Sequence, residues 1–290
     1  MSADLSLDNL KAIVLAHFPE LADARFSLLT EGWDCIALDG GDRLIFKFPR
    51  HEQARKALVR ERGLLEVIRP AVAMLVPELQ LIAGPPLFSR HEKIPGEHLL
   101  AEHYEKLDEP GRDALAAAMA RFFADLHRLD HDAMRRAGAL PIGPWFKAEM
   151  IAAKAMPLLT GPYRDFAAET LAAWQVLPAD PYGETYGFFD GHGWNMAFDH
   201  QSHRLNGVYD FGDSGFGPLH REFVYPSLVS GDLTKRIIDH YEPLAGRSID
   251  RDRVRLLTGV HKLYELAECA EDDKYRDQTL TGVIDWADQP

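Results

Sequence analysis

The chain changes character at Pro95-Gly96. Short apolar runs broken by turn residues lie ahead of it, and long stretches with helical spacing lie behind it. This order points to a small sheet with one helix, a short connection, and a larger, mainly helical part. In the first part, Arg25–Leu29, Cys35–Leu38 and Leu44–Phe48 read as strands, and Asp39-Gly40-Gly41-Asp42 is a hairpin turn. Residues 51–68 turn helical, with Leu58, Leu65 and Ile68 on one face and Arg69-Pro70 at the end. Short strands are expected over Leu79–Ala83 and Leu87–Ile94. Helices are expected near 111–130, over 145–175 and over 219–270, with strand and loop between 186 and 211.

Bulk properties narrow the function. Hydrophobic residues make up 46% of the chain and charged residues 27%, ordinary for a soluble protein. The formal net charge of −13 argues against nucleic acid and anionic membranes as partners. It also suits a cationic small molecule. The two cysteines, Cys35 and Cys269, lie far apart, which fits a reducing cytoplasm and neither a disulfide framework nor a zinc knuckle. The first twenty residues read as an amphipathic helix, with Ser6 or Asp8 near its cap and Leu10, Ile13, Val14 and Phe18 on one face. No apolar run reaches bilayer length.

Chemistry concentrates between residues 190 and 213. Asp190 stands five residues before Asn195, and Asp210-Phe211-Gly212 begins fifteen residues beyond that asparagine. Met196–Phe198 should pair with Gly207–Tyr209 across a polar turn, bringing Asn195 and Asp210 to the same end of one hairpin. An amide oxygen and a carboxylate placed together suit Mg²⁺ bridging phosphates. Asp190, on the loop just before, is placed to orient or deprotonate a hydroxyl. This spacing is that of kinase catalytic and metal-binding segments. Taken singly, each of the three is an ordinary turn residue.

Lys47 and Glu61 form a second pair. Lys47 shares a strand face with Ile45, opposite residues 44, 46 and 48. Glu61 falls on the apolar stripe of the helix that follows, three residues after Leu58 and four before Leu65. A carboxylate there needs a cation, and Lys47 on the preceding strand is the partner expected.

These residues resemble those of the aminoglycoside phosphotransferase family, a branch of the protein-kinase-like fold. Glu31-Gly32-Trp33-Asp34 looks like the family's phosphate-covering loop, and Phe46-Lys47-Phe48-Pro49-Arg50 like its lysine strand. Ile94-Pro95-Gly96-Glu97 resembles the segment leaving the hinge. Phe122-Phe123-Ala124-Asp125-Leu126-His127 resembles the helix before the catalytic region, and Asp210-Phe211-Gly212-Asp213 the metal-binding segment.

The resemblance implies an α+β, two-lobed protein-kinase-like fold. Residues 1–92 would form the smaller lobe, and residues 93–290 the lobe with the catalytic loop, metal site and acceptor site. It implies ATP or GTP held by Gly32, Lys47 and Glu61 and by the hinge residues Arg90, His91, Glu92, Lys93 and Ile94. Asn195 and Asp210 would bind Mg²⁺, and Asp190 would act on a hydroxyl of a small molecule: an aminoglycoside or related antibiotic, an amino alcohol or a sugar. The alternative is a non-catalytic nucleotide-binding regulatory protein of the same fold.

The chain departs from the family at several points. Phe188-Phe189 replaces His-Gly before the aspartate, and Gly191-His192-Gly193-Trp194 replaces Leu-His-Pro-Gly before the asparagine. Gly217-Pro218 shortens Gly-Asp-Pro, and Glu222 stands where Asp is common. Asp213 reads as a turn carboxylate, and His192, Trp194 and Trp33 as packing or cleft residues. Eight acidic residues between Glu265 and Asp288 read either as a solvated terminal helix and tail or as a carboxylate cluster receiving a polyamine.

Overall fold

The computed structural model describes residues 6–29 and 34–289, so the expected role of Gly32 lies outside the described residues. Along the chain run α1 (Leu7–His17), β1 (Phe26–Leu29), β2 (Cys35–Gly40), β3 (Leu44–Pro49), α2 (Glu52–Ile68), β4 (Gln80–Ile82) and β5 (Phe88–Glu92). There follow α3 (Ala101–Glu105), α4 (Glu109–Leu126), α5 (His131–Arg136), α6 (Ala148–Ala155), α7 (Pro162–Gln175) and β6 (Glu184–Gly187). Then come β7 (Met196–Asp199), β8 (Arg204–Val208), β9 (Gly215–Pro218), α8 (Leu219–Glu222), α9 (Gly231–Ala245), α10 (Arg251–Glu268) and α11 (Arg276–Ala287). Contacts divide the chain into two compact units interleaved in sequence: Met1–Leu99, Asp125–Leu140 and Trp194–Gly212 in one, and the remaining residues in the other.

The first unit is built on an antiparallel sheet ordered β1-β2-β3-β5-β4. Alternation along β3 decides its faces. Phe46 and Phe48 point into a core with Leu38, Phe88, Leu10 and Val14, and Phe48 stacks on Phe88 at 4.8 Å. The opposite face carries Lys47 and Ile45, whose register partners on β5 are Ser89 and His91. The β2–β3 turn closes as its sequence requires: Asp42 N–H donates to Asp39 Oδ1 at 2.8 Å, and Gly41 takes a left-handed φ of 69°. Helix α2 starts at His51, whose Nδ1 accepts from Ala54 N–H at 3.1 Å. It buries Leu58, Glu61, Leu65 and Ile68 along one stripe. Hairpin β7–β8 pairs Met196 with Val208 and Ala197 with Gly207, then bulges before Phe198.

In the second unit, α6, α7, α10 and α11 enclose a core around Ile151, Leu171, Leu263 and Val283. The long helical stretches expected from the sequence are broken. Gly161, at φ 53°, and Pro162 separate α6 from α7. Gly246 ends α9 in a left-handed conformation, and the Asp250 carboxylate caps α10 by accepting from Arg253 N–H at 3.0 Å. Strand β6 pairs with β9. The acidic C-terminal stretch includes a helix that packs by one face: α11 buries Val283 completely and leaves Trp286 only 7% exposed, while Asp273 and Asp277 stay exposed to solvent. Several of its carboxylates are engaged within the unit, Asp273 and Asp277 with Arg276 and Asp288 with the Tyr163 hydroxyl.

Candidate active site

Strand β3 holds Lys47 on the sheet face away from the aromatic core, and α2 carries Glu61 towards it. Lys47 Nζ lies 3.2 Å from both Glu61 carboxylate oxygens. The glutamate is 3% exposed, so the pairing expected from strand face and helix stripe is present. Lys47 also donates to Asp210 Oδ1 at 3.0 Å. Burial by itself would lower the lysine's proton affinity, but the Asp210 and Glu61 carboxylates outweigh it and raise Lys47 above the usual range. Burial pushes Glu61 the other way, towards protonation, against the pull of Lys47. Contact of both oxygens with one ammonium, with a peptide N–H added, decides for the ion pair.

That peptide N–H belongs to Phe211, which donates to Glu61 Oε1 at 3.0 Å. One residue further, Gly212 O accepts from Arg60 Nη2 at 3.0 Å. Helix α2 thus grips the segment just after Asp210 twice, through consecutive side chains. Asp210 itself stands at φ 68°, a left-handed conformation unusual for a residue other than glycine. Its side chain is 51% exposed, so one oxygen meets Lys47 while the carboxylate remains open to solvent.

Hairpin β7–β8 sets Asn195 beside Asp210. Tyr209 N–H donates to Asn195 O at 3.1 Å, extending the ladder to the residues flanking both groups. The set is an amide oxygen and a carboxylate, hard donors suited to Mg²⁺. Among the described residues no group of three or more His, Cys, Asp or Glu is assembled for a metal.

In the second unit, Asp190 follows a loop that the sequence left without its usual support. Glu222, wholly buried, supplies one: its two oxygens accept from Phe188 N–H at 2.9 Å and Phe189 N–H at 2.8 Å. Phe188 fills the core, edge-on to Phe122 at 5.7 Å. Gly187 makes room for the brace, since a Cβ there would fall 2.0 Å from Glu222 Oε2. His192 Nε2 lies 3.0 Å from Asp190 Oδ1. Sequence reasoning recorded Glu222 as a departure and missed its function. The available signal was a single acidic residue directly ahead of the apolar run Phe223-Val224-Tyr225.

The hinge residues are only partly brought to one place. Arg90 lies between Phe46 and Gln80 in the sheet, and its guanidinium sits 4.6 Å over the Phe18 ring. Glu92 is paired with Leu44, and Lys93 N–H donates to Arg43 O. The Lys93 ammonium is drawn to Asp39 and Asp42. His91 is buried on the Lys47 face, and desolvation, with the Lys47 charge adding, pulls it down to about 3, so its ring is neutral. Ile94 lies close to Gly207 of β8. Cys35 is a packed strand residue whose thiol burial pushes up to about 12.

Comparison with curated protein sequences gives no match. Solved structures do match. A point variant of aminoglycoside 2'-phosphotransferase-IIIa in complex with GDP superposes with a TM-score of 0.84 at 20% identity, over 97% of each chain. The streptomycin–ATP–APH(2")-IIa ternary complex gives 0.65 at 19% identity over 97% of each. Macrolide 2'-phosphotransferase type I gives 0.69 at 14% identity, over 96% of this chain and 98% of that one. These likenesses establish the kinase-like fold. With Lys47, Glu61, Asn195 and Asp210 gathered on it, and with a model of the phosphotransferase enzyme family matching residues 27–257, the chain belongs to that family.

Proposed function

We propose that the enzyme moves the γ-phosphoryl group of ATP or GTP to a hydroxyl of a small molecule. The observation that carries this reading is the Glu61 carboxylate, which holds the Lys47 ammonium and the Phe211 amide at once and so aligns a cation with the Asp210 segment. Lys47 steadies the triphosphate. Asn195 and Asp210 would hold Mg²⁺, which when bound neutralises charge on the phosphates. Asp190, braced through Glu222 and its neighbouring amides, orients the acceptor hydroxyl and takes its proton. Phosphoryl transfer depends mainly on such placement and on charge neutralisation.

Residues 1–92 act as the nucleotide-covering lobe and 93–290 as the lobe of the acceptor, with the purine at the hinge near residues 90–94. The acceptor is an aminoglycoside or related antibiotic, as the names of the similar structures suggest. Among the described residues no helix is long and apolar enough to cross a membrane, which is compatible with work in the cytoplasm. The rival reading, a nucleotide-binding protein without catalysis, rested on Phe188-Phe189. The Glu222 brace removes that objection, because the loop is supported by another group.

The test is nucleoside-diphosphate release from ATP and from GTP, with and without Mg²⁺, in the presence of kanamycin, streptomycin or a macrolide. Mg²⁺-dependent release that rises with one of these acceptors is expected. Nucleotide binding with no transfer to any hydroxyl compound would return the protein to the rival reading.

A further inference from the structure

In the second unit, apart from the catalytic loop, helices α7, α10 and α11 leave a cavity of about 230 Å³ between them. Helix α10 supplies its floor through one stripe, because Asp252, Arg255, Leu256 and Gly259 recur three and four residues apart. Phe166 and Thr170 of α7 and Trp286 of α11 form the walls. A glycine inside a helix is destabilising relative to alanine, so Gly259 calls for a packing or binding reason. A Cβ there would already lie 3.3 Å from Thr170 Cγ2, 3.4 Å from Phe166 Cζ and 3.5 Å from Trp286 Nε1, and any longer side chain would fill the space. The mouth is charged. Asp252 and Arg255 are both exposed, and Arg255 is set in place: its guanidinium lies 5.7 Å from the Trp286 ring centroid, and Nη2 donates to Gln289 O at 2.6 Å. His261, which feels the charges of Asp190 and His192, comes two residues after Gly259, about 200° further around α10. The cavity therefore lies on the face of α10 turned away from the candidate base.

From these walls and charges we infer that the cavity is a binding site for a free aromatic α-amino acid. The ring lies between Phe166 and Trp286, the carboxylate meets Arg255 and the ammonium meets Asp252. Size sets the first limit. An apolar cavity of roughly 150 Å³ admits benzene, so one of about 230 Å³ takes a single ring with a short arm and not a nucleotide. Shape sets the second: two aromatic side chains and Leu256 suit a flat apolar body, held in edge or offset contact. Charge sets the third. A cation and an anion three residues apart on one helix face match a head group that carries both signs on one carbon. A ligand of single charge would meet one of the two as a like charge. This site is separate from the phosphotransferase reading and does not depend on it.

The experiment titrates the full chain by ligand-observed NMR with L-phenylalanine, with phenethylamine, which lacks the carboxylate, and with 3-phenylpropionate, which lacks the ammonium. Saturable binding of L-phenylalanine is expected below about 10 mM, tighter than that of either analogue. Arg255→Gln and Asp252→Asn change exposed side chains and leave the helix packing intact. Each should weaken L-phenylalanine about fivefold, as expected for an exposed ion pair. Arg255→Gln should not weaken phenethylamine, and Asp252→Asn should not weaken 3-phenylpropionate. Phe166→Ala removes a wall and should weaken all three probes about tenfold. Absence of saturable L-phenylalanine binding up to about 10 mM overturns the assignment. So does equal affinity for the three probes, or charge variants that bind L-phenylalanine as the wild type does.

Discussion

Glu61 Oε1 accepts the main-chain N–H of Phe211 at 3.0 Å while the same carboxylate pairs with Lys47. A helix residue read from its periodicity as the partner of a strand lysine thereby also fixes the backbone next to a candidate metal ligand. The Lys47 ammonium and the segment after Asp210 are set by one carboxylate, so a change at Glu61 reaches both.

The three-way arrangement makes the two halves of the ion pair unequal. Removing Lys47 leaves Glu61 buried with one N–H, whereas removing Glu61 leaves Lys47 with Asp210. Lys47→Ala should therefore cost about 3–5 kcal/mol in urea unfolding, and Glu61→Ala less. A double-mutant cycle on nucleotide affinity should show coupling of about 1–3 kcal/mol. Strict additivity would count against a shared function.

Asp210→Ala should keep the fold, because Lys47 retains Glu61, and should abolish the Mg²⁺-dependent part of nucleotide affinity. Calorimetry with and without Mg²⁺ reads this directly. Unchanged Mg²⁺-nucleotide binding would remove Asp210 from the metal site.

Glu222→Gln replaces one of two accepting oxygens with an NH₂ group facing a peptide N–H. A loss of about 1–3 kcal/mol of stability is expected, together with a fall in turnover and little change in nucleotide affinity. Normal turnover in this variant would show that the loop before Asp190 needs no brace.

Asp190→Asn should bind Mg²⁺-nucleotide nearly as the wild type does and lose roughly 10²–10⁴-fold in turnover. A coupled diphosphate assay and calorimetry on one preparation separate the two effects. Loss of nucleotide binding would place Asp190 in the metal site instead.

Two buried histidines give the protein an acid-side weakness. Burial pulls His91 and His261 from 6.5 down to about 3. The unfolded chain takes up these protons first, so the stability present above pH 6.5 is lost as the pH falls towards 3. Each histidine contributes about 1.4 kcal/mol per pH unit in that window. Urea midpoints at pH 7.5, 6.5 and 5.5 should fall with acid, and His261→Phe should roughly halve the slope. An unchanged slope would show that His261 is not held neutral.

The sequence by itself determined what is local. Alternation placed Lys47 opposite Phe46 and Phe48, helical spacing put Glu61 on its stripe, and two short apolar runs across a polar turn joined Asn195 to Asp210. Turn and period are properties of neighbouring residues, and side-chain volume and backbone sterics fix them without knowledge of the rest of the chain. What only the tertiary structure decided depends on residues far apart in sequence. That Glu222 closes on Phe188 and Phe189 from more than thirty positions away, that Arg60 holds Gly212, and that α11 packs Trp286 despite its acidic composition have no local signature. A buried polar group takes whichever partner the completed packing brings within reach, and the cost of leaving it unpaired selects that partner only once the chain has folded.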